Sequence, residues 1–369
     1  MVEALTSGNA QARRRSWPAG LLHTGLAGAA RSLDAIVVAA ARPAHHLSHA
    51  AMLASEFSTP LVALCSQEAY APNLFELTTD AVAAVDLPAD YSHPLLDLDT
   101  CRPAQPAARR LGDLSTKRNL GLLLARLVGW RTVLFLDDDI HVRPAAIRRA
   151  ARHLAGAAAV GLGITEFPDH SVLGHARRLV GQPHEVFLGG SALLVDVERM
   201  TSFFPSVYNE DWLFLMDGIW AGQVARVGTA RQLPYDPFSD PLRAEDEEFG
   251  DLLAEGLMWI THGAPRNPAA VLSWASEPAC WRELRAARLA ELDEVASQAD
   301  ARADVLAALM AARSRATAIG AAELAAWVRT WRVDVERWRE RIEQLPSVGS
   351  LASAFRELGV VGHSRVSNM

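Results

Sequence analysis

The chain has 369 residues, of which 50% are hydrophobic and 21% charged, with a net charge of −7. This length predicts about two domains with a substantial core, and the acidic balance argues against a nucleic-acid-binding protein, which normally carries a basic surface. Three widely spaced cysteines without a C-x-x-C pair indicate neither a disulfide framework nor a zinc site, and favour the cytoplasm. No apolar run is long enough to predict a transmembrane helix.

The chain begins with an expected flexible leader, residues 1–32, in which three consecutive arginines precede a stretch too rich in Gly and Ala for an export signal. The first predicted strand is the apolar run AIVVAAA at 35–41, which Arg42 and Pro43 end. Further elements alternate along the chain: a helix at 45–57, strands at 61–66 and 81–88, a helix at 116–129, and strands at 132–137, 157–164 and 184–197.

Strands separated by helices predict an α/β fold with a mostly parallel, Rossmann-like sheet that helices cover on both faces. We assign this domain to residues 33–264. From about residue 265 the sequence is rich in Ala, Leu, Glu and Arg, which predicts a helical extension over 265–346. Its tryptophans at 327, 331 and 338 share one helical face, which favours packing on the sheet domain or on a second subunit over an acceptor platform. A loosely ordered tail is expected over 347–369.

Three consecutive carboxylates, Asp137, Asp138 and Asp139, follow the apolar strand TVLFL directly. In open α/β sheets, ligands bind at the carboxyl ends of strands. On an extended chain Asp137 and Asp139 point to one side, roughly 6–7 Å apart, and repel each other by about 2–3 kcal/mol at an effective dielectric constant near 20. A cation would remove this repulsion. Hard oxygen ligands favour Mg²⁺ or Mn²⁺ shared with a phosphorylated ligand.

The flanking sequence STKRNLGLLLARLVGWRTVLFLDDDI resembles the central block of the GT-A fold glycosyltransferases, particularly those like family 2. In that family a K-R-N-x-G segment opens a helix, and the next strand ends in a D-x-D motif. The resemblance implies that Asp137 and Asp138 bind the nucleotide-sugar, that Asp137 and Asp139 hold its metal, and that the helix start faces the nucleotide or its phosphates. The matching residues at the helix start are Lys117, Arg118, Asn119 and Gly121.

Three more segments match this family in order. HEVFLGGSALLVD resembles its Gly-rich strand, where Gly189 and Gly190 would let the backbone approach the donor sugar. YNEDWLFL resembles its acidic element beside the acceptor, which implies Asp211 as the general base, with Glu210 as the neighbour that could take this role. The first strand resembles the nucleotide loop, so Arg42 would contact the base or ribose. Asp86, near the end of the third strand, could lie beside the nucleotide as well.

Histidines add one candidate metal ligand. Some GT-A enzymes complete the metal shell with a histidine well downstream of D-x-D, and His262 in MWITHG is a candidate, although a lone histidine there could equally be a loop residue. With His262 as a ligand, the enzyme would look more like the retaining members. His45, His46 and His49 lack the acidic partner of a metal motif and are interpreted as helix surface near the nucleotide loop.

The departures from the family narrow the expected function. The Q-x-x-R-W motif of the processive synthases is absent, which favours a soluble enzyme that makes a single transfer. The predicted function is a metal-dependent, hexosyltransferase-type reaction that moves a sugar from a nucleoside diphosphate sugar to the hydroxyl of a small-molecule or glycan acceptor. Residues 236–248 are a candidate loop that closes over the donor. A homo-oligomer could form through the C-terminal helices.

Three alternatives remain open. A nucleotidyltransferase also uses aspartates and metal on a similar sheet, but it usually opens with a Gly-rich basic signature that AAARPAHHLSH lacks. A D-x-D-x-T phosphatase would need threonine where this chain has His141. A catalytically silent protein that binds sugar nucleotides and acts as a scaffold is the third alternative.

Overall fold

The structure is a computed structural model. It describes residues 21–22, 27–29, 31–77, 81–102, 109–167, 171–182, 187–264, 266–299 and 302–365, with side chains left out for 109–112. Most of the leader expected at 1–32 lies outside the described residues.

The described residues form a single mixed sheet. Its strands are β1 (Ala35–Ala40), β2 (Leu61–Cys65), β3 (Val82–Asp86), β4 (Thr132–Leu136), β5 (Ile140–Val142), β6 (Ala159–Thr165), β7 (Ala192–Asp196), β8 (Val224–Gln232) and β9 (Gly362–Arg365). They lie in the order β5-β8-β6-β7-β4-β1-β2-β3-β9. The six strands predicted from the sequence are β1 to β4, β6 and β7.

Twelve helices accompany the sheet within the described residues. They are α1 (Ser48–Phe57), α2 (Ala71–Leu77), α3 (Arg109–Val128), α4 (Pro144–His153), α5 (Val172–Leu179), α6 (Glu210–Trp220), α7 (Pro241–Gly263), α8 (Pro268–Ala275), α9 (Pro278–Gln298), α10 (Ala303–Ala318), α11 (Ala321–Glu343) and α12 (Leu351–Glu357). The helix predicted at 116–129 is the second half of α3. Its apolar stripe is fully buried, as the spacing of its leucines predicts.

The α/β class is confirmed, whereas the prediction of a mostly parallel sheet is wrong. Four neighbouring strand pairs are parallel and four are antiparallel. The central strand β7 runs antiparallel to both β4 and β6, and it is buried along its whole length. A strand covered on both faces is continuously apolar whichever way it runs, so its hydrophobicity does not report its direction.

The two faces of the sheet contribute to separate hydrophobic cores. In β1, Val37 packs in one core, while Ile36 and Val38 pack in the other, as the alternation of side chains along a strand requires. Helices α3, α6 and α11 contribute to the first core, and α1 and α4 to the second. The sheet therefore forms the middle layer between these helices. The turns that carry polar side chains lie at its edges.

The helical region shares the first core with the sheet. Trp331 and Trp338 in α11 are 0% and 1% exposed and belong to the same cluster as Val37. The tryptophan face therefore packs within the chain, as the sequence favoured, and association through it stays a prediction. The tail expected to be loosely ordered at 347–369 instead contains α12 and the edge strand β9, which pairs with β3.

Among the described residues, one bent helix pair has the length and composition of a membrane span. Within the described part of the chain, no single helix is both long and apolar enough to cross a membrane. Helices α10 and α11 satisfy length and composition only when taken together, and the chain bends by 80° between them. The large side chains of Trp331 and Trp338 in α11 lie in the core of the protein.

Candidate functional site

The polar residues singled out from the sequence meet at one edge of the sheet. Strands β1 to β4, β6 and β8 share one direction, so their carboxyl ends lie on the same edge. The antiparallel strands β5 and β7 begin at this edge. The turn after β1 therefore approaches the three aspartates after β4 and the glycines before β7. This is the edge at which open α/β sheets bind ligands.

The three aspartates separate because the chain turns immediately after β4. The backbone N–H of Ile140 donates to the carbonyl oxygen of Asp137 at 3.2 Å, which closes a turn over 137–140. The extended geometry expected for these residues is therefore absent. The side chain of Asp137 is 24% exposed, whereas those of Asp138 and Asp139 are only 3% and 10% exposed. The turn directs the carboxylates toward different partners.

Asp137 pairs with the buried guanidinium of Arg118. Nη2 of Arg118 lies 3.0 Å from both carboxylate oxygens of Asp137, and Nη1 donates to Glu210. Burial alone would lower the pKa of Arg118, but the two carboxylates outweigh it and raise that pKa. The guanidinium also lies 5.6 Å from the ring centre of Phe204. Arg118 therefore joins α3, the turn after β4 and the start of α6.

Glu210 is a buried carboxyl with an unusual proton affinity. It is 4% exposed, and this burial raises its pKa to about 8, with Arg118 opposing the effect. The neighbouring charges of Asp211 and Asp137 add to the increase. Because Arg118 is shared with Asp137, it only partly compensates Glu210. The site therefore holds a carboxyl that keeps its proton to higher pH than an exposed glutamate does.

Asp138 and Asp139 share a different cation, the guanidinium of Arg42. Asp138 accepts hydrogen bonds from the backbone N–H groups of Ala41 and Arg42, both at 2.9 Å, and from the Arg42 side chain. Nη2 of Arg42 donates to Asp139 at 3.1 Å. The carboxylates that meet at one cation are thus 138 and 139, whereas the sequence predicted 137 and 139. The turn after β4 breaks the alternation on which that prediction depended.

Asp211 faces the glycines that precede β7. Its carboxylate accepts a hydrogen bond from the backbone N–H of Gly190 and another from that of Trp212, the latter at 2.8 Å. A Cβ atom on Gly190 would lie 2.7 Å from Nη1 of Arg118, so a larger residue would displace the buried guanidinium. Gly189 lies beside it in the wall of a cavity. The structure thus brings the two glycines together with Glu210 and Asp211, which we call the acidic pair.

The K-R-N-x-G motif lies inside α3, which begins at Arg109, so the expectation that this motif opens a helix is wrong. Two of its residues point into the protein instead of toward a ligand. Lys117 is 1% exposed, and its Nζ contacts the Ala40 carbonyl at 2.7 Å and Asp113 at 2.9 Å. Asn119 is also 1% exposed and exchanges two hydrogen bonds of 2.8 Å with the backbone of Phe204. Motif residues on one helix project in different directions, which the sequence alone does not reveal. Direct contact of Lys117 or Asn119 with a nucleotide has no support from this geometry.

His262 is far from the aspartates. It lies in the last turn of α7, whereas Arg243 in the first turn of the same helix lines the cavity. At a rise of 1.5 Å per residue, the two positions are about 28 Å apart along the helix. The expectation that His262 completes a metal shell with Asp137 and Asp139 is therefore wrong. Helix α7 continues up to His262, so this histidine is not the loop residue of the other interpretation either.

The fit of Mg²⁺ or Mn²⁺ depends on Asp138 and Asp139. Among the described residues, no three His, Cys, Asp or Glu side chains converge as a complete protein cage for a metal ion. These cations, however, usually bind through one or two carboxylates together with substrate phosphates. Two hard carboxylates already share one positive group, Arg42, which stands in for such an ion. The pair therefore presents hard oxygen ligands of the kind that these cations prefer.

A cavity of about 220 Å³ opens beside the acidic pair. It is lined by Leu114, Arg118, Asp137, Ile164, Phe187, Gly189, Ser191, Tyr208, Asn209, Glu210, Asp211, Trp212, Arg243 and Glu247. Aromatic rings next to carboxylates are suited to a hydroxyl-rich ligand, since rings cover apolar faces while carboxylates accept hydrogen bonds from hydroxyl groups. The rings of Phe187 and Trp212 meet edge to face, 5.3 Å apart.

Sequence reasoning missed the part of this wall that belongs to α7. Arg243 and Glu247 lie within residues 236–248, which were expected to form a closing loop, but α7 begins at Pro241. Asp240 accepts a hydrogen bond from the backbone N–H of Leu242 and caps the helix. The Asp-Pro pair is an N-terminal helix signal that could have identified this start.

Two weaker candidates have local partners. The carboxylate of Asp86 accepts a hydrogen bond from the backbone N–H of Ala71 at 2.7 Å, at the start of α2. His49 accepts a hydrogen bond from the backbone N–H of Val142 at 2.9 Å and stacks on His141. Burial lowers the pKa of His49, and the nearby His141 lowers it further. These side chains hold the turns around the site together.

The comparisons with known proteins found only distant similarity. No protein-family model and no curated protein sequence matches the chain. Solved structures that are similar include S. aureus TarS residues 1–349 (11% identity over 84% of this chain and 92% of that chain, TM-score 0.40) and the same fragment with UDP-GlcNAc (11%, 84%, 92%, TM-score 0.38). A longer TarS structure has 12% identity over 85% of this chain and 55% of that chain, with a TM-score of 0.33. TM-scores this low carry no conclusion about activity.

Proposed function

We propose that the protein is a glycosyltransferase that moves a sugar from a nucleoside diphosphate sugar to an acceptor hydroxyl. The observation that carries the proposal is the chain of contacts at the carboxyl edge of the sheet. Asp138 and Asp139 share a cation next to Asp137, and Arg118 joins Asp137 to the acidic pair at the cavity. This arrangement supports a cation site beside a proton-accepting site.

The donor diphosphate would bind at the turns after β1 and β4. Asp138 and Asp139 would hold Mg²⁺ or Mn²⁺ there, and this ion would neutralise charge on the departing diphosphate. Arg42, 43% exposed, is free to contact phosphate oxygens once it leaves the carboxylates. Metal dependence is part of the proposal, with the ligands revised to residues 138 and 139.

The sugar and the acceptor would meet in the cavity. The acceptor oxygen bonds to the anomeric carbon while the bond from that carbon to the diphosphate oxygen breaks. The hydroxyl proton passes to Asp211, which the backbone N–H groups of Gly190 and Trp212 hold in place. Direct attack from the opposite side inverts the anomeric carbon. Retention was tied to His262 as a metal ligand, and His262 lies too far away.

The side chains that line the cavity indicate a general class of acceptor. Its aromatic rings and carboxylates support a hydroxyl-bearing small molecule or glycan. A cytoplasmic location and a homo-oligomer remain predictions from the sequence.

Calorimetric titration with UDP-, GDP- and dTDP-sugars, with and without Mn²⁺, tests the proposal. We expect one nucleotide class to bind in the presence of metal, and we expect Asp138→Asn/Asp139→Asn to abolish this binding. Asp293→Asn, which alters an exposed ion pair on α9, is the matched control. Binding of none of these donors would reject the function for them, whereas binding without transfer or hydrolysis would favour a scaffold protein.

A further inference from the structure

The residue before the acidic pair has a backbone conformation that needs support. Asn209 has φ = 58° and ψ = 34°, in the left-handed region, and it precedes Glu210 at the start of α6. Asparagine tolerates this region better than most residues, but a cost remains. Its side chain does not cap α6. Nδ2 instead donates to Oδ1 of Asp251 on α7, at 2.7 Å.

Asp251 is itself held by a guanidinium from the helical extension. Nη2 of Arg288 on α9 donates to Oδ2 of Asp251 at 2.8 Å, and Arg288 also makes two bonds of 2.8 Å to Glu248. A further bond of 3.1 Å reaches Glu255. Arg288, Glu248 and Asp251 are at most 4% exposed. Each oxygen of Asp251 therefore has its own partner, which fixes the carboxylate.

One guanidinium serves three carboxylates in this cluster. Burial raises the pKa of Asp251 well above its usual range, and Arg288 counteracts this increase. Burial raises the pKa of Glu248 as well, again with Arg288 opposing it. Loss of Arg288 would leave buried carboxylates without their cation, so they would take up protons or move apart. The orientation of Asp251 depends on Arg288.

A second contact fixes the same segment through the backbone. A Cβ atom on Gly250 would lie 2.2 Å from the carbonyl oxygen of Tyr208, so α7 touches the backbone there and only glycine fits. Residues 208–211 all line the cavity. Helix α7 therefore holds Tyr208 by close packing and Asn209 by a hydrogen bond.

We propose that Arg288 and Asp251 are positioning residues for Glu210 and Asp211, acting through Asn209. The inference rests on the proposed function, because that function assigns Asp211 to the reaction and places Glu210 beside it. It gives the helical extension a role in the active site, since Arg288 comes from α9. The line of contact runs from Arg288 to Asp251, then to Asn209, and by the chain into α6.

Asn209→Gly is the most informative variant. Glycine adopts the left-handed conformation at no steric cost, so the variant removes mainly the hydrogen bond to Asp251. We expect kcat to fall about tenfold to 100-fold, because a small displacement of a reacting group is costly, while the Kd for the donor stays within about twofold. Asp251→Asn should lower kcat to a similar extent, because one amide oxygen replaces two carboxylate acceptors. The double variant should be no worse than either single variant.

Two further measurements separate positioning from general loss of structure. Arg313→Met removes an exposed ion pair between α10 and Asp293 on α9, and should leave kcat unchanged. Carbon-detected NMR titration of Glu210 should show its pKa falling below about 8 in Asn209→Gly, since a looser α6 start admits water. A merely destabilised protein would lose active fraction without this shift.

The outcomes distinguish the inference from the proposed function. A wild-type protein that turns over sugar nucleotides, together with an Asn209→Gly variant of unchanged kcat and unchanged Glu210 titration, would overturn the inference alone. A wild-type protein without turnover would reject the proposed function. In that case the titration of Glu210 would still test the positioning role. An unchanged Glu210 pKa in Asn209→Gly would show that Asp251 and Asn209 do not position Glu210 and Asp211.

Discussion

Arg118 contacts both carboxylate oxygens of Asp137 through one nitrogen, Nη2, at 3.0 Å each. The first residue belongs to α3 and the second to the turn after β4, so the contact joins a helix to the ligand-binding edge of the sheet. Arg118 is buried, and its other terminal nitrogen donates to Glu210. One side chain thus sets the spacing between the aspartate turn and the acidic pair.

Replacement of Arg118 is expected to destabilise the fold. Arg118→Met keeps much of the side-chain volume but leaves Asp137 without its cation and the buried Glu210 without its hydrogen-bond donor, which should lower the free energy of unfolding by about 3–5 kcal/mol. Urea denaturation measures this change. Arg102→Met, which removes an exposed pair with Asp97, should leave the urea midpoint unchanged. Equal midpoints for wild type and Arg118→Met would show that the buried contact contributes little.

Arg42 is expected to compete with a divalent cation. Arg42→Met removes the positive group shared by Asp138 and Asp139, so the variant should bind Mn²⁺ alone more tightly than the wild type does. The same change should weaken nucleotide binding about tenfold, because a phosphate contact is lost. Calorimetry with Mn²⁺ and with nucleotide measures both effects. Arg148→Met, at a surface pair with Glu56, is the control. Identical Mn²⁺ affinities would contradict competition.

Glu210 is expected to make stability depend on pH. Its pKa is raised from 4.5 to about 8 by burial, so between these values the folded state retains a proton that the unfolded state has lost. The free energy of unfolding should therefore fall as pH rises through this window, by at most about 1.4 kcal/mol per pH unit. Urea denaturation at several pH values should show a flatter profile for Glu210→Gln. The same slope in both proteins would place the titrating group elsewhere.

Asn119 tests whether the nucleotide contact implied by the family resemblance or the core packing seen in the structure describes its role. Asn119→Ala removes two hydrogen bonds to the backbone of Phe204 and should cost about 1–3 kcal/mol of stability, because a buried N–H loses its partner. The Kd for the nucleotide should stay unchanged in the folded variant, since Asn119 points into the core. Thermal unfolding and calorimetry give the two readings. A nucleotide affinity that falls without loss of stability would restore the contact implied by the family resemblance.

The sequence alone determined six of the nine described strands and the general location of the candidate site. Continuous apolar runs predicted six strands, and the leucine spacing predicted α3, because burial imposes these patterns directly. The placement of Asp137, Gly190 and Asp211 at one edge followed from their positions at strand and helix ends. Local patterns are sufficient for such features, since each depends on residues that are neighbours along the chain.

Only the tertiary structure decided which side chains meet. The turn after β4 gave Asp138 and Asp139 a common cation, and the length of α7 removed His262 from the site. The direction of β7 was equally undetermined, because a doubly buried strand is apolar in either direction. The link from Arg288 to Asp251 joins residues 37 positions apart, as counted along the chain. Such contacts depend on how helices pack, which no local pattern records.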